Sequence, residues 1–546
     1  MAEAMLAADG TPLKRSLARA LRRQKLRALG LIAPLLLFVL VTFIVPIASM
    51  LFRSVENEIV SNTLPYTVEQ LASWDSDKNA LPSEATFQAM FFDMFVAAEA
   101  KRHTRLGTRL NYETTGLSSL FRQSGRKLDD IADISYKPLQ DFDKAWDDGE
   151  TWYALMNARN SADTALMAAQ RGRIAKLTDN NTKGDVNFAP DAEIAALLPL
   201  AAREYTAWAI FVATQDGRDP AKRDPWEALA PALLIDLQSA DLSGYDGPEA
   251  ELLRKTQQAN LPVPKFAAAF AEVDGDWGTA VPWKTIQTHS GKYTSGYFLN
   301  AVDAQKTADG MAWQPENKQI LITLFGRTIW MSVLITVSCI LLGYPIAWLL
   351  ANLPMRQANL LLILVLLPFW TSLLVRTSAW KVMLQQQGVI NDVLVWIGLV
   401  ADDNRLIIIN NQFGTIVSMT HILLPFMILP MYSVMQTIQP SYLRAAKSLG
   451  ATNWTAFWRV YFPQSIPGIG AGSILVFILA IGYYITPEIV GGTKGVFISN
   501  RIAYNISSSL NWGLAAALGT ILLVAVLILY WAYDKIVGID NVKLGG

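Results

Sequence analysis

Few side chains in this 546-residue chain could carry covalent chemistry, and their spacing excludes most of it. The three histidines, His103, His289 and His421, are too scattered for a recognisable metal motif. The single cysteine, Cys339, lies in an apolar run, so neither a disulfide within the chain nor a thiol-rich metal site is available. Nucleophile-elbow, HExxH and paired-Cys patterns are absent, as is the G-x(4)-G-K-[ST] phosphate cradle. No catalytic residue, cofactor or metal is expected, and any ATP that drives this protein must be bound by another subunit. Asp274 and Asp276 beside Trp277 suggest an ion site at most, but a surface turn is preferred because the full calcium-loop pattern is missing. What remains is non-covalent: Trp370, Arg376, His421, Tyr483, Tyr484 and Glu488, polar or aromatic groups within or beside apolar runs. Polar groups there are costly and tend to face a cavity or another helix, so these six are candidates to line a solute pathway. Each has a plainer reading. His421 could be a neutral ring bonded within a bundle, Arg376 and Lys381 could snorkel, Glu488 could sit at an interface, and the aromatics could form a belt.

A second constellation is mechanical. Arg444-Ala445-Ala446-Lys447-Ser448-Leu449-Gly450 is followed, after nine intervening residues, by Val460-Tyr461-Phe462-Pro463. Pro440 and Ser441 open a helix, with Ser441 as the expected N-cap, and Gly450 stops it as a left-handed cap. Thr452 or Asn453 then caps a second short helix, which carries Trp454, Phe457, Trp458 and Tyr461 on one face. A helix, a glycine elbow and an aromatic helix between apolar segments form a docking handle for a soluble partner.

These groups must be positioned by helices in a membrane. Apolar residues make up 52% of the chain while charged residues still reach 17%, a mixture of spans and water-facing parts. Equal numbers of basic and acidic side chains, 46 each, argue against a nucleic-acid binder. A span needs about 20 apolar residues. Six runs qualify, near 28–52, 325–353, 359–383, 412–436, 466–490 and 513–537. The first is too long for a signal peptide's apolar core, lacks a cleavage site and is expected to be retained. Lys14, Arg15, Arg19, Arg22, Arg23, Lys25 and Arg27 precede it and place segment 1–27 in the cytoplasm. Counting spans puts the loop 437–465 on the same side, where Arg444, Lys447 and Arg459 agree with the charge rule.

The stretch 53–320 then lies outside, as an insert between the first and second spans. Its tryptophans can build a core, and Phe87–Ala100, Glu193–Ala213 and Trp226–Leu242 read as helices. From Asp274 to Asn300, Gly, Thr, Tyr and Trp dominate, and strands or loops are expected.

The elbow stretch resembles the signature loop of binding-protein-dependent ABC importer permeases, E-A-A-x(3)-G-x(9)-I-x-L-P. Ala445, Ala446, Gly450, Val460, Phe462 and Pro463 keep its spacing, with Val for Ile and Phe for Leu. Arg444 stands where the family has Glu, a charge reversal. Pro368 to Ser372, Val375 to Thr377, Ala379-Trp380, Gly388 to Asn391, and Gly482 to Pro487 with Gly491-Gly492 look like the spermidine/putrescine group. Some members of that group carry Asp at the position of Tyr483. The resemblance covers about 20–52 and 320–546 and leaves the insert outside it. It implies an all-α membrane protein with six transmembrane helices of the type I importer kind, the core being 321–546. It implies a non-enzymatic inner-membrane permease for a small solute, a polyamine or related cation, working by alternating access. Its implied partners are a second permease, homologous or identical, two cytoplasmic ATPase subunits, a periplasmic solute-binding protein and membrane lipid. Arg444, Ala445, Ala446, Gly450, Trp454, Phe457, Trp458 and Pro463 would then couple to the ATPase. A receptor with an external ligand domain, a secondary transporter and a permease for a non-amine solute are the alternatives.

Overall fold

Backbone groups in hydrocarbon must be satisfied within their own segment, so the apolar runs are expected to be helices. The computed structural model describes residues 13–182, 184–308 and 310–537. Residues 1–12, the side chains of Lys14, Arg15, Arg19 and Arg23, and the stretch after Val537 lie outside these. Among the described residues, five helices are long and apolar enough to cross a membrane: Gln24–Arg53, Leu321–Asn352, Gln412–Thr437, Asn453–Gly482 and Trp512–Lys535.

Two expected spans differ. The run 359–383 is not one straight helix: Met355–Trp370 and Leu373–Met383 meet at 93°. A 3₁₀ turn, Leu367–Trp370, carries Pro368. Ser372 then starts a new helix by accepting the Val375 N–H at 3.2 Å. The fifth span, expected to reach residue 490, ends at Gly482; Tyr483 is extended and a short helix resumes over Ile485–Val490. The break is stable because a side chain takes the freed Ile481 carbonyl: Ser499 Oγ donates to it at 2.6 Å. Asn500 Nδ2 adds a bond at 2.9 Å to the Tyr484 carbonyl, which already accepts the Glu488 N–H at 3.0 Å.

The chain divides into two compact units. In the one that holds the spans, three helices, Leu321–Asn352, Gln412–Thr437 and Asn453–Gly482, share a core that includes Met331, Cys339, Met419, Met427, Met431 and Val476. Glycine admits the methionines: a Cβ on Gly472 would stand 2.7 Å from the Met427 sulfur.

The other unit, Glu56–Gly296 with Gln305–Ala312, is a helical domain. Its helices include Glu84–Glu99, Pro199–Phe211 and Leu229–Leu237. Pro199 splits the run expected from Glu193 to Ala213, because the residue before a proline is pushed out of the helical region; Leu198 sits at φ −128°, ψ 65°. The stretch from Asp274 to Asn300, expected as strands or loops, is helical over Gly275–Gly278, Ala280–Thr288 and Gly296–Ala301, while 289–295 is a loop whose Tyr293 bridges to Glu56. Burial overrides composition there. Trp277 and Trp283 are fully buried, and their indoles donate to Ser124 Oγ at 2.8 Å and the Trp277 carbonyl at 3.1 Å. Asp274 accepts the Asp276 N–H at 3.0 Å, a turn-closing bond.

Two buried carboxyls contribute to this unit's pH response. Desolvation pushes Asp93 up to about 6 against the pull of Arg173 and of its bonds from Thr67. Asp236 is likewise pushed up to about 6 by burial, against the Ala201 and Leu200 N–H groups. A carboxyl whose folded pKa exceeds its unfolded value binds more protons when folded, so stability falls as pH rises between the two values. These two carboxyls favour a melting temperature of fragment 55–318 that drops between pH 4 and pH 6, whereas His289, which burial lowers to about 4, opposes them with stability that rises over the same range. Calorimetry of the wild type beside Asp236→Asn isolates the carboxyl: the melting temperature of the wild type relative to that of the variant should fall from pH 4 to pH 6, and a constant difference refutes it.

Candidate functional site

The elbow is built from local backbone chemistry. Pro440 is the first residue of the helix Pro440–Ser448 and Gln439 is its N-cap. Ser441 is therefore not the cap; its hydroxyl donates to Gln439 Oε1 at 3.3 Å. Proline takes the first helical position because its missing N–H has no intrahelical partner there. Gly450 closes the helix at φ +90°, with its N–H on the Lys447 carbonyl at 3.0 Å. Thr452 then caps the next helix, accepting from the Thr455 N–H at 3.2 Å.

That next helix is not a separate short one. Asn453 to Gly482 is continuous, with a π turn at Phe457–Tyr461. Pro463 has no N–H to lose where the ladder is disturbed. The wider turn also splits the expected aromatic face. Trp454 is 72% exposed and Trp458 45%, while Tyr461 is 3% exposed in the core. Phe457 packs edge-on against Tyr344 and Trp458 against Trp454, with centroids 6.2 and 5.6 Å apart. Arg444 and Ala445 are exposed and Ala446 half-buried. Arg444 makes no ion pair among the described residues. Leu449, 90% exposed, stands beside Gly450, so the elbow offers apolar surface to water.

The six pathway candidates separate into groups. His421 Nδ1 accepts from the Trp380 indole N–H at 3.1 Å. Tyr483 is half-buried at the break that follows Gly482. Arg376 lies on the second arm of the broken span, which is tied to the short helix Ile485–Val490 by a buried Thr377–Thr486 hydroxyl bond of 3.1 Å. Glu488 is not inside the fifth span but on that short helix, where it is exposed and accepts from Asn500 Nδ2 at 2.6 Å. Tyr484, 47% exposed, lies at the break. Trp370, 73% exposed, has no hydrogen bond or ring contact with the other five. Sequence reasoning missed the roles of Trp380 and Asn500. Trp380 falls one helical turn beyond Arg376, a spacing that could have paired them. Asn500 carries no such signal, being far from Glu488 in helical terms.

A membrane bundle, a glycine elbow between two of its helices and a broken span are thus present together. Residues 327–537 match the family described as "Binding-protein-dependent transport system inner membrane component". The spermidine/putrescine transport system permease protein PotB of Salmonella typhimurium is 36% identical over 209 residues, 38% of this chain and 72% of the relative. The chain belongs to this family. The permease is also 35% identical to PotB of Escherichia coli over 38% of its own length and 75% of the relative's. The inner membrane ABC transporter permease protein YdcU of Escherichia coli is 32% identical over 45% and 81%. A solved bacterial ABC transporter that imports the acidic polysaccharide alginate overlaps 42% of the permease and 81% of its own chain at 20% identity, with a TM-score of 0.33. The protein is a multi-pass permease subunit of an ABC importer. The unit from Glu56 to Gly296 lies outside the family match.

Proposed function

We propose that this permease moves a small organic cation of the polyamine type through the inner membrane, driven by ATP bound on separate subunits. A binding protein delivers the solute on the outer side. Two cytoplasmic ATPases act through the elbow on this chain and on a second permease. The observation that carries the coupling role is the Gly450 elbow at φ +90°, with exposed Leu449 and Trp454 beside it and a continuous helix leading from it into the bundle. A rigid lever of this kind transmits motion because helices do not compress. The likeness to PotB supports the solute class.

The reading requires loop 437–465 to be cytoplasmic and the unit around Asn160 external. Both Asn160 and Lys447 are exposed, so reporter fusions are tolerable there. The two fusions are expected to give opposite signals; the same side for both refutes the topology. Fragment 55–318 is expected to be a soluble domain with a cooperative melt and no hydrolytic activity.

Glu488 is assigned to meet the cationic end of the solute. It is exposed and held by a single amide, Asn500. Glu488→Gln keeps an acceptor for Asn500 but removes the charge. Uptake is expected to fall about tenfold, the loss of one partly desolvated charge pair, with protein level and complex assembly unchanged. Unaltered uptake would make Glu488 a bystander.

A further inference from the structure

The elbow carries charge of one sign only. Residues 437–465 hold three cations, Arg444, Lys447 and Arg459, and no acid; Asp403 and Glu488 are the nearest acids along the chain. All three cations are exposed. None makes an ion pair or a side-chain hydrogen bond among the described residues. Orientation in the membrane explains part of this, because basic loops stay in the cytoplasm. That rule is nearly indifferent to Asp and Glu, so it does not account for their absence.

Placement on the helix Pro440–Ser448 narrows the point. Leu443 and Ala446 are its half-buried residues, and Leu443 packs on the core of the bundle. Arg444 and Lys447, three residues apart and both exposed, are neighbours on the helix surface, where like charges repel. Lys447 lies in the last turn, where the backbone carbonyls favour a cation. Arg444 lies nearer the middle and has no such support; it also stands where the signature pattern has Glu. A cation held where its own chain offers only repulsion points to an anion supplied from outside.

Leu449 and Trp454, both largely exposed, follow these cations. A helix that lies on a membrane surface presents its apolar side to the lipid, whereas Leu443 is turned into the bundle here. The exposed apolar groups are at the tip instead. An apolar centre with charge at its edge is the make-up of a protein interface.

We propose that the ATPase subunit received by this elbow presents carboxylates to Arg444 and Lys447, around an apolar hollow for Leu449 and Trp454. Permease and ATPase then select each other by charge as well as by shape. Arginine suits the position at 444, since its fork of donors meets both oxygens of one carboxylate. This pairing rests on the docking role of the elbow and adds the chemistry of the partner's surface.

Zero-length crosslinking tests it in the purified complex of this permease with its partner permease and ATPases. A carbodiimide joins an amine only to a carboxylate in contact with it. Lys447 is expected to give a crosslink to an Asp or Glu of the ATPase, read by peptide mass spectrometry, and Arg444→Lys is expected to add a second. Arg444→Glu should lower the ATPase retained at about 0.15 M salt by about tenfold or more, through a lost pair and a new repulsion. Arg444→Gln should fall between that variant and the wild type. No crosslink from either position, or unchanged retention by Arg444→Glu, overturns the carboxylates. So does retention that depends on phosphatidylglycerol in the nanodisc equally for wild type and Arg444→Glu, since that assigns the cations to lipid headgroups. A photo-crosslinking benzoylphenylalanine in place of Trp454 reads the docking role separately. A link to the ATPase there without a carbodiimide link removes the charge pairing and keeps the docking role; no link by either chemistry removes both.

Discussion

Gly450→Val is expected to leave membrane insertion intact while abolishing uptake and the association of the ATPase subunits. The reason is confined to one residue. Gly450 holds φ +90°, and an added Cβ would meet nothing within 4 Å. Crowding is therefore not the problem; the backbone conformation is. A β-branched residue in that region costs about 1–3 kcal/mol, enough to redirect the chain rather than accept the strain. Redirecting it turns Leu449 and Trp454 away from their present positions beside the elbow. The spans are untouched, since the core of Met331, Cys339, Met427 and Val476 does not involve Gly450. Gly450→Asn supplies the control, because asparagine tolerates positive φ and should retain most of the uptake. Quantifying ATPase subunits that co-purify with each variant, alongside uptake, decides the matter. Normal transport by Gly450→Val would mean that the elbow does not carry the coupling.

Arg173→Met is expected to be the most damaging single change in the helical unit of Glu56–Gly296. Arg173 is buried between Asp93 and Glu204, 3.1 Å from each, and lies over the Tyr66 ring. Glu204 retains Arg203 as a partner after the substitution, but Asp93 loses the one ion pair it has among the described residues. Removing one member of a buried pair costs about 3–5 kcal/mol, chiefly through the charge left behind. In a domain of this size that lowers the melting temperature by roughly 10 °C or more. The sign of the pH effect follows from Asp93, whose carboxyl burial has already pushed up to about 6. Below that pH it is protonated and needs no partner, so the damage should shrink as pH falls from 8 to 5. Adding Asp93→Asn should recover part of the loss at neutral pH. A melt of Arg173→Met within about 2 °C of wild type would show that the pair contributes little net stability.

The sequence by itself determined the membrane class, the absence of a phosphate cradle and the elbow. Each rests on a local property: apolar length, a missing motif, or a glycine where only positive φ closes the helix. The family likeness was legible for the same reason, since its motif spans residues close in the chain. Local composition misled where burial decides. The segments Gly275–Gly278 and Ala280–Thr288 are helical because Trp277 and Trp283 are drawn into a core built by distant helices. The aromatic helix after Gly450 is continuous with a span because a π turn keeps the backbone bonded through Phe457–Tyr461. Tertiary structure alone ended the fifth span at Gly482, since Ser499 had to reach the freed Ile481 carbonyl. It alone set Trp380 against His421, which lies 41 positions further along the chain. Hydrogen bonds and charges across such separations leave no periodic mark in a sequence. They appear only once the helices that carry them have packed.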